Sequence, residues 1–447
     1  MTSTSRKNIL FISFDDCISY PKYRNSFGEA LQTPNLDRIA DRATFFDSAY
    51  CQSPVCGPSR ASFMTAKTSH QLGIFDNTID VFERADPTDI WSYKLKQNGY
   101  FCSSGGKIHH GYKPLKRRHH NVIYSDEQKR FTDDFSLPPD VEKRKDRGIR
   151  GGWSTTNEAD DHIYYDWQVA ESAIGFLENY DKDEPFYREV GFFSPHGPRF
   201  TPARFKDLYN WKNFQRPEEW DEGFDKHPFS EEHMPQTPDL EKGNENWWRY
   251  NVRNYFAGLS HGDYHLGRIW DALQNSRFAK NTIVVIVSDH GFLLGVRNRF
   301  YKSTIWEQSA GVPMMIFDPD QDTPQVVDDP VALLDVGPTV LDYAGLDPLA
   351  DCVGRSLKPQ VQGASNPDRV IPTFRFDNVS IRKGHYRLAR YMDGTTQLFD
   401  LREDIWNYND LGRDHPEYVP MRDAMIETCA DYGLTLGLRD FEPSPAQ

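Results

Sequence analysis

Asn8-Ile-Leu-Phe-Ile-Ser-Phe-Asp-Asp16 is the stretch that decides the fold. From Asn8 to Phe14 it is apolar at nearly every position, and it then breaks into two aspartates. A strand apolar on both faces belongs in a sheet that is covered on both sides. Thr282-Ile-Val-Val-Ile-Val-Ser288 repeats the design and runs into Asp289-His290. Glu189-Val-Gly-Phe-Phe193 runs into Ser194-Pro195-His196, and Val312-Pro-Met-Met-Ile-Phe317 reads as another buried strand. The short stretch Tyr100-Phe-Cys-Ser103 leads into Gly105-Gly106-Lys107-Ile108-His109-His110. Helical spacing fills the intervals. Thr33-Pro34 is an N-cap and first-turn pair ahead of Leu36, Ile39 and Ala40, and Trp167–Tyr180 and Asn251–Gln274 carry helical periodicity. Strands alternating with helices predict an α/β fold, a doubly wound mixed sheet flanked by helices.

Two regions, 112–165 and 200–248, lack this core texture. The first is dense in Lys, Arg, His and Asp, and the second in Trp, Pro and acid. Both read as long surface excursions from the sheet. After about residue 345 the texture changes again. Arg369–Phe376, Asn378–Arg382, His385–Tyr391 and Gln397–Leu401 read as short strands, with turns at Lys383-Gly384 and Asp393-Gly394 and a helix from about Glu417 to Tyr432. The expected organisation is a catalytic domain over 1–345 and a smaller α+β subdomain built on an antiparallel sheet over 346–447. No internal repeat is visible.

With 447 residues the chain is long enough for such a core plus an appendage. Its net charge of -14 argues against nucleic acid or an anionic membrane as the main partner. A protein this acidic that handles an anion must concentrate positive charge locally. Met1–Lys7 is polar, and Ile9–Phe14 is too short for a signal-peptide core, so a cytoplasmic location is expected. Cysteines 17, 51, 102, 352 and 429 form no zinc-like spacing and read as reduced, partly buried thiols.

Ligands of open α/β sheets bind beyond the carboxyl ends of the strands, and four of these strands end in reactive side chains. Asp15, Asp16 and Asp289 supply hard oxygen donors that would repel one another without a cation. An oxygen-rich set suits calcium or magnesium better than zinc. His290 could bind near that metal or hydrogen-bond a substrate. Cys56-Gly57-Pro58-Ser59-Arg60-Ala61 places a cysteine just before a Pro-initiated helix, where free N–H groups and the dipole favour an anion. A thiolate could serve there as nucleophile, and so could a hydrated aldehyde made from it. Lys107 and Lys302 are the expected cations beside Arg60.

Taken together these segments resemble the type I sulfatases of the alkaline-phosphatase-like superfamily, with iduronate-2-sulfatase-like members the nearest in pattern. The resemblance rests on Asn8–Asp16, Thr33-Pro-Asn-Leu-Asp37, Val55-Cys-Gly-Pro-Ser-Arg60, Asn98-Gly-Tyr100, Gly106-Lys107, Pro195-His196, Ser288-Asp-His-Gly291 and Lys302. It continues more weakly through Val379-Ser-Ile-Arg382, His385-Tyr-Arg387 and Leu398-Phe-Asp-Leu401. It implies a formylglycine nucleophile made from Cys56 by a formylglycine-generating maturase. It also implies one calcium ion, in preference to magnesium, among Asp15, Asp16, Asp289, His290 and the modified Cys56. Arg60 would steady the nucleophile and the metal site, and Lys107 and Lys302 would bind sulfate oxygens. His196, with Lys302 nearby, would act as general acid toward the leaving group. A histidine after Lys107 would take the proton that releases sulfate. Both His109 and His110 fit the spacings found in the family, and the iduronate-2-sulfatase-like register favours His110. Gly57 departs from the usual Thr, Ser or Ala at its position.

The expected partner is a small anionic sulfate ester, of a sulfated carbohydrate or a similar alcohol. A phosphonate monoester or phosphodiester hydrolase is the alternative within the same fold, and a binding protein that keeps the pocket without turnover is a third reading. Specificity should come from the excursions and the C-terminal appendage, with Arg199, Trp247-Trp248 and Arg375 as candidates to meet a sugar. Oligomeric state is not readable from these patterns.

Overall fold

The computed structural model describes residues 6–135, 141–142, 144–145, 151–221, 223–224, 228–321 and 323–443; parts of both excursions lie outside the described residues. The main sheet is built from β1 (Asn8–Asp15), β2 (Thr44–Phe46), β3 (Phe101–Gly106), β4 (Phe186–Pro195), β5 (Thr282–Ser288), β6 (Met314–Phe317) and β7 (Gln325–Val327). Their order across the sheet is β7-β2-β6-β5-β1-β4-β3. β1 lies parallel to both β4 and β5, β3 is parallel to β4, and β6 is antiparallel to β5 and β2, so the sheet is mixed as expected.

Period-two alternation sorts the two layers. Leu10, Ile12, Phe14, Val284 and Ile286 face the helices Tyr165–Asn179 and Glu245–Gln274. Ile9, Phe11, Ile283, Val285 and Val287 face the helices Cys56–Thr65, Trp91–Gln97 and Val336–Tyr343. Both sides of the sheet are covered, which is why β1 and β5 are apolar through their centres, Ile9–Ile12 and Ile283–Val287. No helix among the described residues is long and apolar enough to cross a membrane.

Some elements differ in extent from expectation. β4 starts at Phe186 and includes Arg188, a charged residue inside a wholly buried strand. Arg188 is tolerated because its Nη1 donates to Ser103 Oγ at 2.7 Å and its Nη2 to Ser172 Oγ at 3.0 Å. β6 starts at Met314, since Pro313 has no N–H for the ladder. The long helix begins six residues early, at Glu245, with the Asn244 side chain accepting from Trp247 N as its cap.

Four antiparallel strands, β8 (Val370–Arg375), β9 (Asn378–Lys383), β10 (Tyr386–Arg390) and β11 (Thr396–Asp400), form the second sheet in sequence order. The helix Tyr418–Asp431 packs Met421, Met425 and Cys429 against Ile371, Phe374 and Leu388 of that sheet. A buried ion pair joins it to the connection between β5 and β6. Arg387 donates to Glu307 Oε2 from Nε at 3.0 Å and from Nη2 at 2.7 Å, while Tyr50 OH donates to Oε1 at 3.0 Å. Burial pushes the Glu307 carboxyl up, but Arg387, Lys22 and Arg382 outweigh it and hold the group at about 2. Arg387→Leu leaves that carboxylate buried without its main partner. We expect a loss of about 3–5 kcal/mol in unfolding free energy, measured by denaturant titration.

Candidate active site

Register brings four strand ends to one edge. Phe14 pairs with Ser288, Asp15 with Pro195 after a shift that follows Ser13, and Gly106 with Gly191. The residues that follow each pairing, Asp15-Asp16, His196, Lys107 and Asp289-His290, therefore emerge side by side. Lys107 crosses close to β4: a Cβ on Gly191 would lie 2.2 Å from the Lys107 carbonyl oxygen, which is backbone and cannot swing away. Gly191→Ala must push Lys107 aside. We expect turnover to fall about 10²-fold for such a displacement, with the melting temperature reduced as well; steady-state kinetics and a thermal melt check both.

Cys56 is the first residue of the helix Cys56–Thr65, with Val55 at the N-cap. The cysteine thus sits one position inside the helix that it was expected to precede, and Pro58 lies in the first turn. Val55 supplies no capping side chain, so the helix start leaves its N–H groups to other partners. One of them, Gly57 N, donates to Asn77 Oδ1 at 2.8 Å. A Cβ on residue 57 would also meet Asn77 Oδ1 at 2.8 Å, a local reason for glycine here. Asn77 carries no motif, and sequence reasoning missed it.

The Cys56 sulfur stands where a formylglycine would carry its oxygens. It lies 3.6 Å from Asp15 Oδ1, 3.3 Å from His290 Nε2 and 2.8 Å from Lys302 Nζ. Burial and Asp15 push the thiol up, and Lys302, Lys107 and His290 together bring it down to about 7. Lys302 Nζ also donates to Asp16 Oδ1 at 2.5 Å, and Lys107 Nζ forms an ion pair with Asp15 Oδ2. Burial drives the Asp15 carboxyl upward, but Lys107, His196, Arg60 and Lys302 hold it well below the usual carboxylate range.

Arg60 braces the cluster from within the helix. Its Nε donates to Asp289 Oδ2 at 2.9 Å, its Nη2 stands 3.6 Å from Asp15 Oδ2, and its Nη1 donates to the carbonyl oxygens of Lys107 and Ile108. Asp289 Oδ1 accepts from Asp16 N at 3.2 Å and from His290 N at 2.9 Å. Asp16 itself is held at φ 63°, a left-handed conformation that aspartate tolerates better than most residues.

Two overlapping sets of donor atoms lie within 4.8 Å of one another: Asp15, Asp16, Cys56 and His196, and Asp15, Cys56, Asp289 and His290. Three carboxylates dominate them, the chemistry of a hard divalent cation. His290 Nδ1 donates to Gly291 O at 2.8 Å, which leaves Nε2 directed at Cys56 and Asp16. Burial lowers its affinity for a proton, yet Asp289 and the thiol raise it to about 9. His196 Nε2 is 3.9 Å from Asp16 Oδ2. Burial first, and Lys107 second, hold its ring well below the ordinary imidazole range.

The pair after Lys107 divides. His110 is exposed, whereas His109 turns inward. Its Nε2 lies 3.4 Å from Tyr124 OH, which donates to the buried Glu189 at 2.5 Å. Burial and Arg60 lower the His109 ring to about 3. Among the sugar candidates, Trp248 is core, its Nε1 donating to Leu294 O at 2.6 Å, and Trp247 packs edge-on against Phe300. Arg199 is buried over the rings of Tyr255, Phe292 and Phe300. Arg375 is half-buried at the end of β8.

Residues 7–346 match the family described as Sulfatase, and residues 295–431 match the one described as N-sulphoglucosamine sulphohydrolase, C-terminal. A sulfatase of Formosa agariphila is 30% identical over 426 residues, covering 89% of this chain and 82% of its own. A choline-sulfatase of Rhizobium meliloti is 30% identical over 440 residues, covering 90% of this chain and 81% of its own. A solved structure described as a complex with its substrate D-glucosamine-2-N,6-O-disulfate superposes with a TM-score of 0.72 at 22% identity, over 96% of this chain and 98% of that one. These relatives span several sulfatases and are not specifically iduronate-2-sulfatases, so the assignment narrows to the family as a whole. With the helix that Cys56 begins, the acidic cluster and four strand ends gathered in one site, this chain is a member of the sulfatase family, a sulfuric ester hydrolase.

Proposed function

We propose that the chain hydrolyses the sulfate ester of a small sulfated carbohydrate, with Cys56 matured to formylglycine and calcium held by Asp15, Asp16, Asp289 and His290. The observation that carries this reading is the thiol of Cys56 within 3.6 Å of a carboxylate, an imidazole and an ammonium group, all of them buried. When present, the metal and the hydrated aldehyde supply Lewis-acid charge stabilisation and a hydroxyl nucleophile.

The chain's own residues do the rest. Lys107 and Lys302 bring ammonium groups to the nonbridging sulfate oxygens, where charge grows as the ester bond breaks. Arg60 keeps Asp289 and Asp15 in place from behind. His196 presents its ring to the leaving-group oxygen, and the proton is supplied by Lys302, whose ammonium group is held by Asp16. His109 is our choice over His110 for the proton-accepting histidine, because its ring turns inward toward Tyr124 while His110 faces solvent.

The test is sulfate release from a panel of sulfated mono- and disaccharides by protein co-produced with a formylglycine-generating maturase, alongside a phosphonate monoester. Intact mass of the Cys56 peptide reports maturation. Sulfate release exceeding phosphonate cleavage supports the reading. Matured protein that releases no sulfate, or that prefers the phosphonate, overturns it.

A further inference from the structure

The hairpin that joins β8 to β9 turns through Phe376 and Asp377, since Arg375 pairs with Asn378. Two-residue turns of this kind want Asn or Gly at positive φ. Phe376 sits there at φ 51°, a costly conformation for a bulky aromatic residue. The cost is not repaid by burial, because the ring is 41% exposed. Instead the Arg375 guanidinium carbon lies over it, 4.0 Å from the ring centroid, and Phe75 flanks it at 6.1 Å. An exposed ring held in a strained turn by a cation is arranged for something outside the chain.

Its position supplies the something. Arg375 Nη1 donates to Phe75 O at 2.7 Å, and two residues on, Asn77 accepts from Gly57 beside the nucleophile. The segment 75–77 therefore ties the hairpin tip to the first turn of the Cys56 helix. Asp76 is the acid beside Arg375, and its Oδ1 is already occupied by Thr78 N and Oγ1. Apart from Phe75 O, no hydrogen-bond partner for the Arg375 fork is found among the described residues.

We propose that Phe376, Phe75 and Arg375 form a subsite at the mouth of the active site. It takes a sugar ring on the aromatic faces and a second anionic group, carboxylate or sulfate, on the Arg375 fork. Aromatic faces beside a single well-placed cation are the usual make-up of a site that binds an amphipathic anion. The inference rests on the carbohydrate sulfatase reading above and specifies which sugars that site prefers.

The experiment compares kcat/KM on four sulfate esters: ethyl sulfate, a monosulfated neutral hexose, a uronate-containing disaccharide sulfate and a disulfated hexosamine. Arg375→Lys keeps the charge and loses the fork. It should lower the ratio of either doubly anionic sugar to the neutral hexose by about 10- to 100-fold, the worth of a charge-assisted bidentate contact. Whichever of the two doubly anionic sugars loses more identifies the second anion. Phe376→Asn suits the turn better, so its melting temperature should match or exceed that of the wild type. It should nevertheless lower the ratio of every sugar to ethyl sulfate, an outcome that loss of structure could not produce. Unchanged ratios in both folded variants overturn the subsite while leaving the carbohydrate sulfatase reading intact. Should Arg375→Lys fail to fold, Phe376→Asn decides alone. A matured wild type that cleaves none of the sugars sinks the parent reading and the subsite with it.

Discussion

Cys56→Ala should reduce sulfate release by on the order of 10⁴–10⁶, the loss typical of removing a covalent nucleophile. The fold should survive the change. Cys56 is buried in a polar cluster, so the sulfur contributes little apolar packing, and Lys302 keeps Asp16 as partner when the thiol is gone. A melting temperature close to that of the wild type, together with silent kinetics, separates a chemical role from a structural one. Lys107→Ala is the matched control for electrostatics. Removing one donor of charge stabilisation should cost about 10²–10³ in turnover, well short of the nucleophile. Comparable losses in the two variants would mean that Cys56 acts only as part of the cationic cradle, and that the residue attacking sulfur lies elsewhere.

Three of the strand endings were readable because each follows an apolar run that stops at a charged or ring-bearing residue, a pattern set by burial on both faces of the sheet, while the ending at Lys107 follows only the short stretch Tyr100–Ser103. Strand order was not, since β6 runs against its neighbours and nothing in Met314–Phe317 marks direction. Arg188 hid the first half of β4, because a charge inside a strand reads as its edge unless the serines that satisfy it are known. Spacing could not choose between His109 and His110: adjacent residues in a loop point apart, and which one turns inward depends on Tyr124 and Glu189, far along the chain. Asn77 and Phe376 were invisible for a similar reason. One gains its place by accepting from Gly57 N, and the other becomes unusual only through a backbone angle.

Asp289→Asn should be the second most damaging change, although it alters one atom. Both carboxylate oxygens are in use as acceptors, Oδ2 from Arg60 Nε and Oδ1 from the backbone N–H groups of Asp16 and His290. An amide has one acceptor and one donor, so either orientation sets an N–H against another N–H. The acids and permanent cations of the cluster, Asp15, Asp16 and Asp289 against Arg60, Lys107 and Lys302, also fall out of balance, which repels the metal. We expect turnover to fall about 10³-fold at fixed calcium, at or beyond the upper end of the loss expected for Lys107→Ala. Stability should drop by about 3–5 kcal/mol, because Arg60 keeps a buried charge with only Asp15 to meet it. Chelation provides the independent arm. Stripped wild-type protein should lose its turnover, regain it as calcium is titrated back, and gain ~3 °C in melting temperature when the free ion is near one hundred times its dissociation constant. The variant should need far more calcium for the same recovery. If chelated wild type turns over at its original rate, or if Asp289→Asn responds to calcium as the wild type does, the acidic cluster is not a metal site and the charge that cleaves the ester must come from the lysines and Arg60 alone.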